Sequence, residues 1–335
     1  MFYIAEIGLN HNGDLELAKE MIKAAQNAGA DVVKFQSIKA ERLVSSKTFQ
    51  TAINGFGFAD VDNIGDFWEK VSIDANFHKQ LKQFCDEQNI EFLSTPFDRA
   101  SVDMLEDLGV QRYKIASGDL TNFPLIAKII KKNKPILLST GGSTVAEVRD
   151  TVNFMNNQAG ELDLTLLHCV SLYPTPPDLI NLNAIDELQK IMHTTLGFSD
   201  HTKGFHLALG AITKGARVIE KHFTIDQKLP GPDQEMSVMP ETFARLVRYG
   251  NDLEKALQVE GKIVSDEEAK ELDDMRRSIV AARNLPAGTV IKMEDLEFKR
   301  PGNGISPREY RKVIGHSLNK ALDKDEQLIW EELDD

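Results

Sequence analysis

"LGFSDHTKGFHLALGAITKGARVIEKHF", residues 196–223, decides how the chain folds. Two short apolar runs, "LGFSDH" (196–201) and "RVIEKHF" (217–223), flank a stretch with apolar residues at helical spacing. Each run begins as core, ends polar, and delivers a histidine, His201 or His222, where the chain leaves the core. The same unit recurs upstream. Strand-like runs are "YIAEIG" (3–8), "DVVKFQ" (31–36), "EFLSTPF" (91–97), "RYKIAS" (112–117), "PILLST" (135–140) and "LTLLHCV" (164–170). They show little period-2 alternation, as parallel strands buried on both faces require. Between them lie amphipathic stretches such as "LELAKEMIKAAQNAGA", with a glycine near the stop. Eight units in series predict an α/β fold, a (β/α)8 TIM barrel over residues 1–258. A doubly wound sheet is the alternative, but no reversal of the series is evident.

Composition narrows the function classes. A chain of 335 residues exceeds what one core usually supports, so a smaller second domain is expected. The net charge of −13 argues against a nucleic-acid surface, and it requires local cations wherever an anionic substrate binds. No apolar run is long enough for a membrane span, and "MFYIAEIG" has no basic leader. Cys85 and Cys169 read as reduced core thiols of a reducing compartment, so a cytoplasmic location is expected.

Two segments interrupt the pattern. Residues 37–76 lack sustained periodicity and are too long for an ordinary connection, which suggests a lid or a loose insertion. Residues 259–275, "VEGKIVSDEEAKELDDM", are charged and read as a linker. From Arg276 the texture changes to short strands and a Pro-Ala-Gly turn, giving a mostly-β domain over 276–335. Its core should be thin, so it is expected to lean on the barrel or on a partner chain.

Barrel chemistry gathers at the C-terminal ends of the strands. Those ends carry Glu6, Lys34, Gln36, Ser94, Thr95, Lys114, Ser117, Asp119, Ser139, Thr140, Ser171, Tyr173, Ser199, Asp200, His201, Glu220 and His222. So many polar groups on one rim need compensation for burial, which implies a binding site. Lys34 and Lys114, among serine and threonine hydroxyls, suit a small phosphorylated anion. No Walker A sequence and no glycine-rich nucleotide fingerprint is present. His201 and His222 end adjacent strands and suit a labile Mn²⁺-type ion with open positions for water and substrate. The alternative is a pair of histidines hydrogen-bonded to Asp200 and Glu220.

The motifs "IAEIGLNHNG", "DVVKFQS", "FLSTPFD", "YKIASGDLTNFPL", "ILLSTGG", "LHCVSLYPTPP", "LGFSDHT", "VIEKHFTIDQKLPGPD" and "KRPGNGISP" together resemble the N-acetylneuraminate (sialic acid) synthase family. The resemblance spans the chain, and the C-terminal domain is similar to the antifreeze-like SAF domain of those enzymes. It implies condensation of phosphoenolpyruvate with N-acetylmannosamine or a related 2-acetamido sugar, releasing phosphate. Within the family, the legionaminate or pseudaminate branch, acting on a 2,4-diacetamido deoxy sugar, is the alternative. Phe56 and Phe58 would supply apolar contact to such a sugar, or would merely pin the loop.

Carried over by motif, Lys34, Thr95, Lys114, Ser117, Ser139 and Ser199 match positions that hold phosphoenolpyruvate. Glu6, Gln36, Tyr173 and Asp233 match positions around the sugar, and His201 and His222 match the metal pair. Arg300 matches an arginine that a partner subunit's small domain inserts over the site, which implies a domain-swapped homodimer. The catalytic set so implied is Glu6, Asp119, His201 and His222. Asp119 departs from the glutamate of many bacterial members, and Ser171 stands where some carry asparagine. A deoxy-octulosonate or deoxy-heptulosonate phosphate synthase would not need the C-terminal domain. A non-catalytic carbohydrate binder would not need a metal pair beside a phosphate cradle.

Overall fold

Residues 1–52, 58, 61–160, 162–191 and 195–334 are described by the structure, a computed structural model. They form two compact units, Met1–Val259 and Glu260–Asp335.

The first unit is built on eight strands: β1 (Phe2–Gly8), β2 (Val32–Ser37), β3 (Glu91–Pro96), β4 (Tyr113–Ile115), β5 (Ile136–Ser139), β6 (Leu164–Cys169), β7 (Thr195–Asp200) and β8 (Val218–His222). Every ladder between them is parallel. The order is β3-β2-β1-β8-β7-β6-β5-β4, and β3 lies against β4 across the remaining seam. The first strand sits between the second and the eighth, which a closed barrel requires and a doubly wound sheet does not.

The helices outside the barrel start where the sequence supplies a cap. Asp14 accepts from the amides of Glu16 and Leu17 ahead of Leu15–Asn27, and Asp98 does the same for Arg99–Asp107. Thr144 and Glu147 cap Val145–Ala159 reciprocally. Each cap satisfies amides that would otherwise lack partners and stabilises its helix by about 1 kcal/mol. The caps follow directly on the strand ends, so they also set the loops that carry the rim residues.

Inside the barrel the strands do alternate, and the alternation changes chemistry with height. Ile4, Val32, Leu93, Leu137, Leu167 and Val218 form an apolar lower layer. Two residues further along their strands stand Glu6, Lys34, Thr95, Ser139, Cys169 and Glu220, which strand parity places on the same inner face. Outward residues between them pack on the helices. Both faces are therefore buried, which is why the runs read as continuous. Gly197 on β7 makes room in the lower layer: a β-carbon there would lie 2.2 Å from Leu167 Cδ2.

The long connection after β2 is folded in its described parts. It forms short helices Ala40–Leu43, Ser46–Phe49 and Ile64–Val71. Leu9, Ile38, Phe58, Val61, Phe67 and Val71 bury one another in a satellite core. Phe58 is 3% exposed, faces Phe67, and carries the Lys70 ammonium 4.9 Å from its ring. It pins the loop and is not free to meet a sugar. Phe56, its expected companion, lies outside the described residues.

The segment read as a linker carries a helix, Asp266–Met275, capped by Ser265. The rest of the second unit pairs β9 (Ser278–Ala281) with β10 (Leu296–Lys299), and β11 (Ser317–Leu318) with β12 (Leu333–Asp334), both antiparallel. Contrary to the expectation of a thin core, Ile279, Ala281, Leu285, Ile291, Leu296, Ile305, Val313, Leu318, Leu322 and Leu328 bury one another in a closed cluster. No helix among the described residues is long and apolar enough to cross a membrane.

Candidate active site

The upper layer of the barrel holds four buried charges. Lys34 Nζ lies 2.7 Å from Glu6 Oε2 and 3.6 Å from Glu220 Oε1. Lys114 Nζ is 3.2 Å from Glu220, and the Ser199 hydroxyl donates to the same carboxylate at 2.9 Å. Gln36 donates to Glu6 Oε1 at 2.8 Å, and Lys34 reaches the Thr95 hydroxyl at 3.4 Å. Two lysines and two glutamates sum to zero charge. The two lysines read as a local cation cluster thus arrive already compensated.

The compensation shows in the acidities. Burial acts to raise Glu220, but Lys114 and Lys34 outweigh it and hold the carboxyl down at about 2. Burial raises Glu6, with Lys34 opposing and Glu220 adding to the rise. Burial acts against the Lys34 ammonium, yet Glu220 and Glu6 carry it upward. Lys114 is lowered by burial despite Glu220.

Beside this centre sit the histidines. Their ring centroids are 5.3 Å apart, and the Tyr173 ring lies 4.2 Å from that of His201. His201 Nδ1 donates a 2.7 Å hydrogen bond to the Val170 carbonyl, so that nitrogen carries a proton; burial acts against a charge on the ring, but Cys169 and the Val170 carbonyl carry its pKa upward. His222 Nδ1 is buried without a hydrogen-bond partner, 3.5 Å from Asp233 Oδ2. Burial and the neighbouring His201 keep His222 neutral. Neither Asp200 nor Glu220 bonds to a histidine; Asp200 binds Thr202 and pairs with Lys221. The hydrogen-bonded alternative therefore fails.

The two neighbouring imidazoles could hold a divalent ion, which binds their neutral forms. Among the described residues no cluster of three or more His, Cys, Asp or Glu side chains has metal-holding geometry.

A third group of small donors flanks the lysines. Ser139 Oγ is buried with no hydrogen-bond partner among the described residues. Ser117 Oγ accepts from the Gly141 amide at 3.0 Å. A β-carbon on Gly141 would lie 2.5 Å from Ser171 Oγ, 2.9 Å from Ser117 Oγ and 3.2 Å from Cys169 Sγ, so only glycine leaves this cradle open. Cys169 is a free, buried thiol, as expected, and it also borders this cradle. Its sulfur lies 3.7 Å from His201 Nδ1; burial would raise the thiol, but His201 draws it down.

Asp119 stands apart. It ends the short turn Ser117–Asp119 and accepts from Asn122 at 2.9 Å, and burial raises its carboxyl. Among the described residues it makes no hydrogen bond or ion pair with the lysine–glutamate centre. Arg300 belongs to the second unit. It sits on an exposed loop braced by Ser278, whose hydroxyl bonds the Pro301 carbonyl and the Gly304 amide. Gly141 and Cys169 were not read as rim residues, and Glu220 was placed on the rim without its part in compensating the lysines. For Glu220 the signal was present, since it lies two residues before His222 on one strand face.

Comparison with known proteins agrees with this architecture. Residues 21–262 match the NeuB family and residues 276–334 match the SAF domain. The N,N'-diacetyllegionaminic acid synthase of Campylobacter jejuni is 40% identical over 96% of this chain and 97% of its own length. Human N-acetylneuraminate-9-phosphate synthase is 31% identical over 99% of this chain and 92% of its own. The crystal structure of the Leptospira borgpetersenii N-acetylneuraminic acid synthetase, in complex with citrate, superimposes with a TM-score of 0.72 at 34% identity. It covers 81% of this chain and 89% of that one. With one family model over residues 21–262 and a relative 40% identical over nearly the whole chain, the chain belongs to the NeuB family of nonulosonic acid synthases.

Proposed function

We propose that this chain condenses phosphoenolpyruvate with a 2,4-diacetamido-2,4,6-trideoxy hexose, releasing phosphate and giving N,N'-diacetyllegionaminate. The observation that carries this reading is the 40% identity to a legionaminic acid synthase, against 34% and 31% to two neuraminate-type proteins. N-acetylmannosamine, to which the motifs first lead, is the second reading. The likeness to the Leptospira synthetase favours it.

In this mechanism Lys34 and Lys114, with the hydroxyls of Thr95, Ser117, Ser139 and Ser199, bind the carboxylate and phosphate of phosphoenolpyruvate. Glu6, Gln36, Tyr173 and Asp233 surround the sugar. His201 and His222 hold a divalent ion, Mn²⁺ in this reading, which when bound supplies Lewis-acid polarisation of the sugar carbonyl. C3 of phosphoenolpyruvate bonds to the aldehyde carbon, water adds at C2, and the C–O bond to phosphate breaks to leave a 2-keto acid. Asp119 accepts the proton from that water, its free oxygen being the one Asn122 does not hold.

The test is phosphate release with phosphoenolpyruvate, Mn²⁺ and a panel of N-acetylmannosamine, its 6-phosphate and the diacetamido trideoxy sugar. The trideoxy sugar is expected to lead in kcat/KM by about tenfold or more, the scale on which pockets separate such differences. N-acetylmannosamine turning over equally well would overturn the substrate assignment.

The same reading makes the protein a homodimer in which Arg300 serves the partner's barrel. Mixing inactive Arg300→Ala and His222→Ala proteins under subunit exchange should restore about a quarter of wild-type activity, since mixed dimers hold one intact site. Exchange without recovery sinks the swapped arrangement.

A further inference from the structure

Directly behind the two histidines lies an ion pair that the reaction does not use. Asp200 and Lys221 are register partners at the upper end of the β7–β8 ladder. Each immediately precedes a histidine, and each points to the opposite face of the sheet from it. Both side chains are fully buried, with Asp200 Oδ2 3.0 Å from Lys221 Nζ. Asp200 Oδ1 accepts from the Thr202 amide at 2.8 Å and from the Thr202 hydroxyl at 2.7 Å. Lys221 Nζ donates to the Thr202 carbonyl. Carboxylate, ammonium and the Thr202 turn thus close a ring of polar contacts around His201.

A buried ion pair is a weak source of stability, because desolvating both charges offsets most of their attraction. An apolar pair would serve packing as well. What charge adds is direction: the contacts fix how β7 leaves the sheet relative to β8. His201 is bracketed by Asp200 and Thr202, and His222 follows Lys221, so the clamp sets the separation of the two rings.

We infer that Asp200 and Lys221 are positioning residues that hold His201 and His222 at the spacing a divalent ion requires. The inference rests on the metal reading above. Its readout is metal affinity in full-length protein, measured by titrating Mn²⁺ and following the free ion by electron paramagnetic resonance, alongside thermal unfolding. The double variant Asp200→Asn/Lys221→Met keeps the two contacts from Thr202 to residue 200, gives up the lysine's bond to the Thr202 carbonyl and leaves no unpaired charge, so it should lose less stability than either single variant. Its Mn²⁺ affinity should fall about tenfold or more, as for other groups that orient metal ligands, while the phosphoenolpyruvate KM stays within about twofold. Either single variant should lose both stability and Mn²⁺ affinity, since each strands a buried partner. Thr202→Val, which removes one contact and no charge, should weaken Mn²⁺ by a few-fold. Wild-type Mn²⁺ affinity in both the double variant and Thr202→Val overturns the clamp. A wild-type protein that takes up no divalent ion overturns the metal reading and this inference with it, and the wild-type titration alone reveals that outcome.

Discussion

The barrel interior has two layers that differ by one step of strand periodicity. Ile4, Val32, Leu93, Leu137, Leu167 and Val218 fill the lower layer, and Glu6, Lys34, Ser139 and Glu220 stand above it. The same backbone supports both. The lower layer buries apolar surface and leaves nothing unsatisfied, so it contributes stability. The upper layer buries charge, which costs free energy unless each charge meets its opposite. Lys34 and Lys114 against Glu6 and Glu220 meet that condition, which in the proposed function makes them a preorganised floor for phosphoenolpyruvate. One layer holds the barrel together; the layer above it is built for a substrate.

This contrast can be broken from either side. The largest effect is expected from His222→Ala, which in the proposed function removes one of two metal ligands. It should lower kcat/KM by about a thousandfold or more, several kcal/mol of lost charge stabilisation, while thermal unfolding barely moves. The unpartnered Nδ1 explains the second half: no protein hydrogen bond is lost there. Near-wild-type turnover in chelator-treated buffer would remove the histidines from the chemistry.

Leu167→Ala probes the lower layer. A leucine enclosed by Gly197 and its layer neighbours should cost about 2–5 kcal/mol of stability when truncated, read as a shift of the denaturant midpoint. The folded fraction should keep its KM for both substrates. A change in substrate KM at full folding would mean that the layers are mechanically coupled.

Lys114→Ala is the finer test. Loss of one charge-assisted contact, about 1.5–3 kcal/mol, should raise the phosphoenolpyruvate KM by about ten- to a hundredfold and move the sugar KM much less. Adding Glu220→Gln returns the centre to neutrality and should recover part of that loss. Equal effects on both substrates would make Lys114 a structural residue instead.

How far the sequence carries can be judged from particular residues. The eight strands were legible because burial on both faces leaves apolar runs, and caps such as Asp14, Asp98 and Thr144 mark where helices begin. The rim polarity was legible too, since polar residues at strand ends follow from barrel geometry. The folded satellite core of the 37–76 connection was not, because Phe58, Phe67 and Leu9 meet without any local period.

Sequence by itself determined the barrel, the polar rim and the presence of two lysines and two histidines on adjacent or facing strands, because those depend on local periodicity and strand count. Only the tertiary structure decided which charge meets which. Glu220 compensates a lysine 106 residues away, Asp200 pairs with Lys221, and the buried Cys169 thiol lies against His201. Pairing of this kind depends on register across closed strands and falls off steeply with distance, so it is settled by angstroms that no spacing in the chain records.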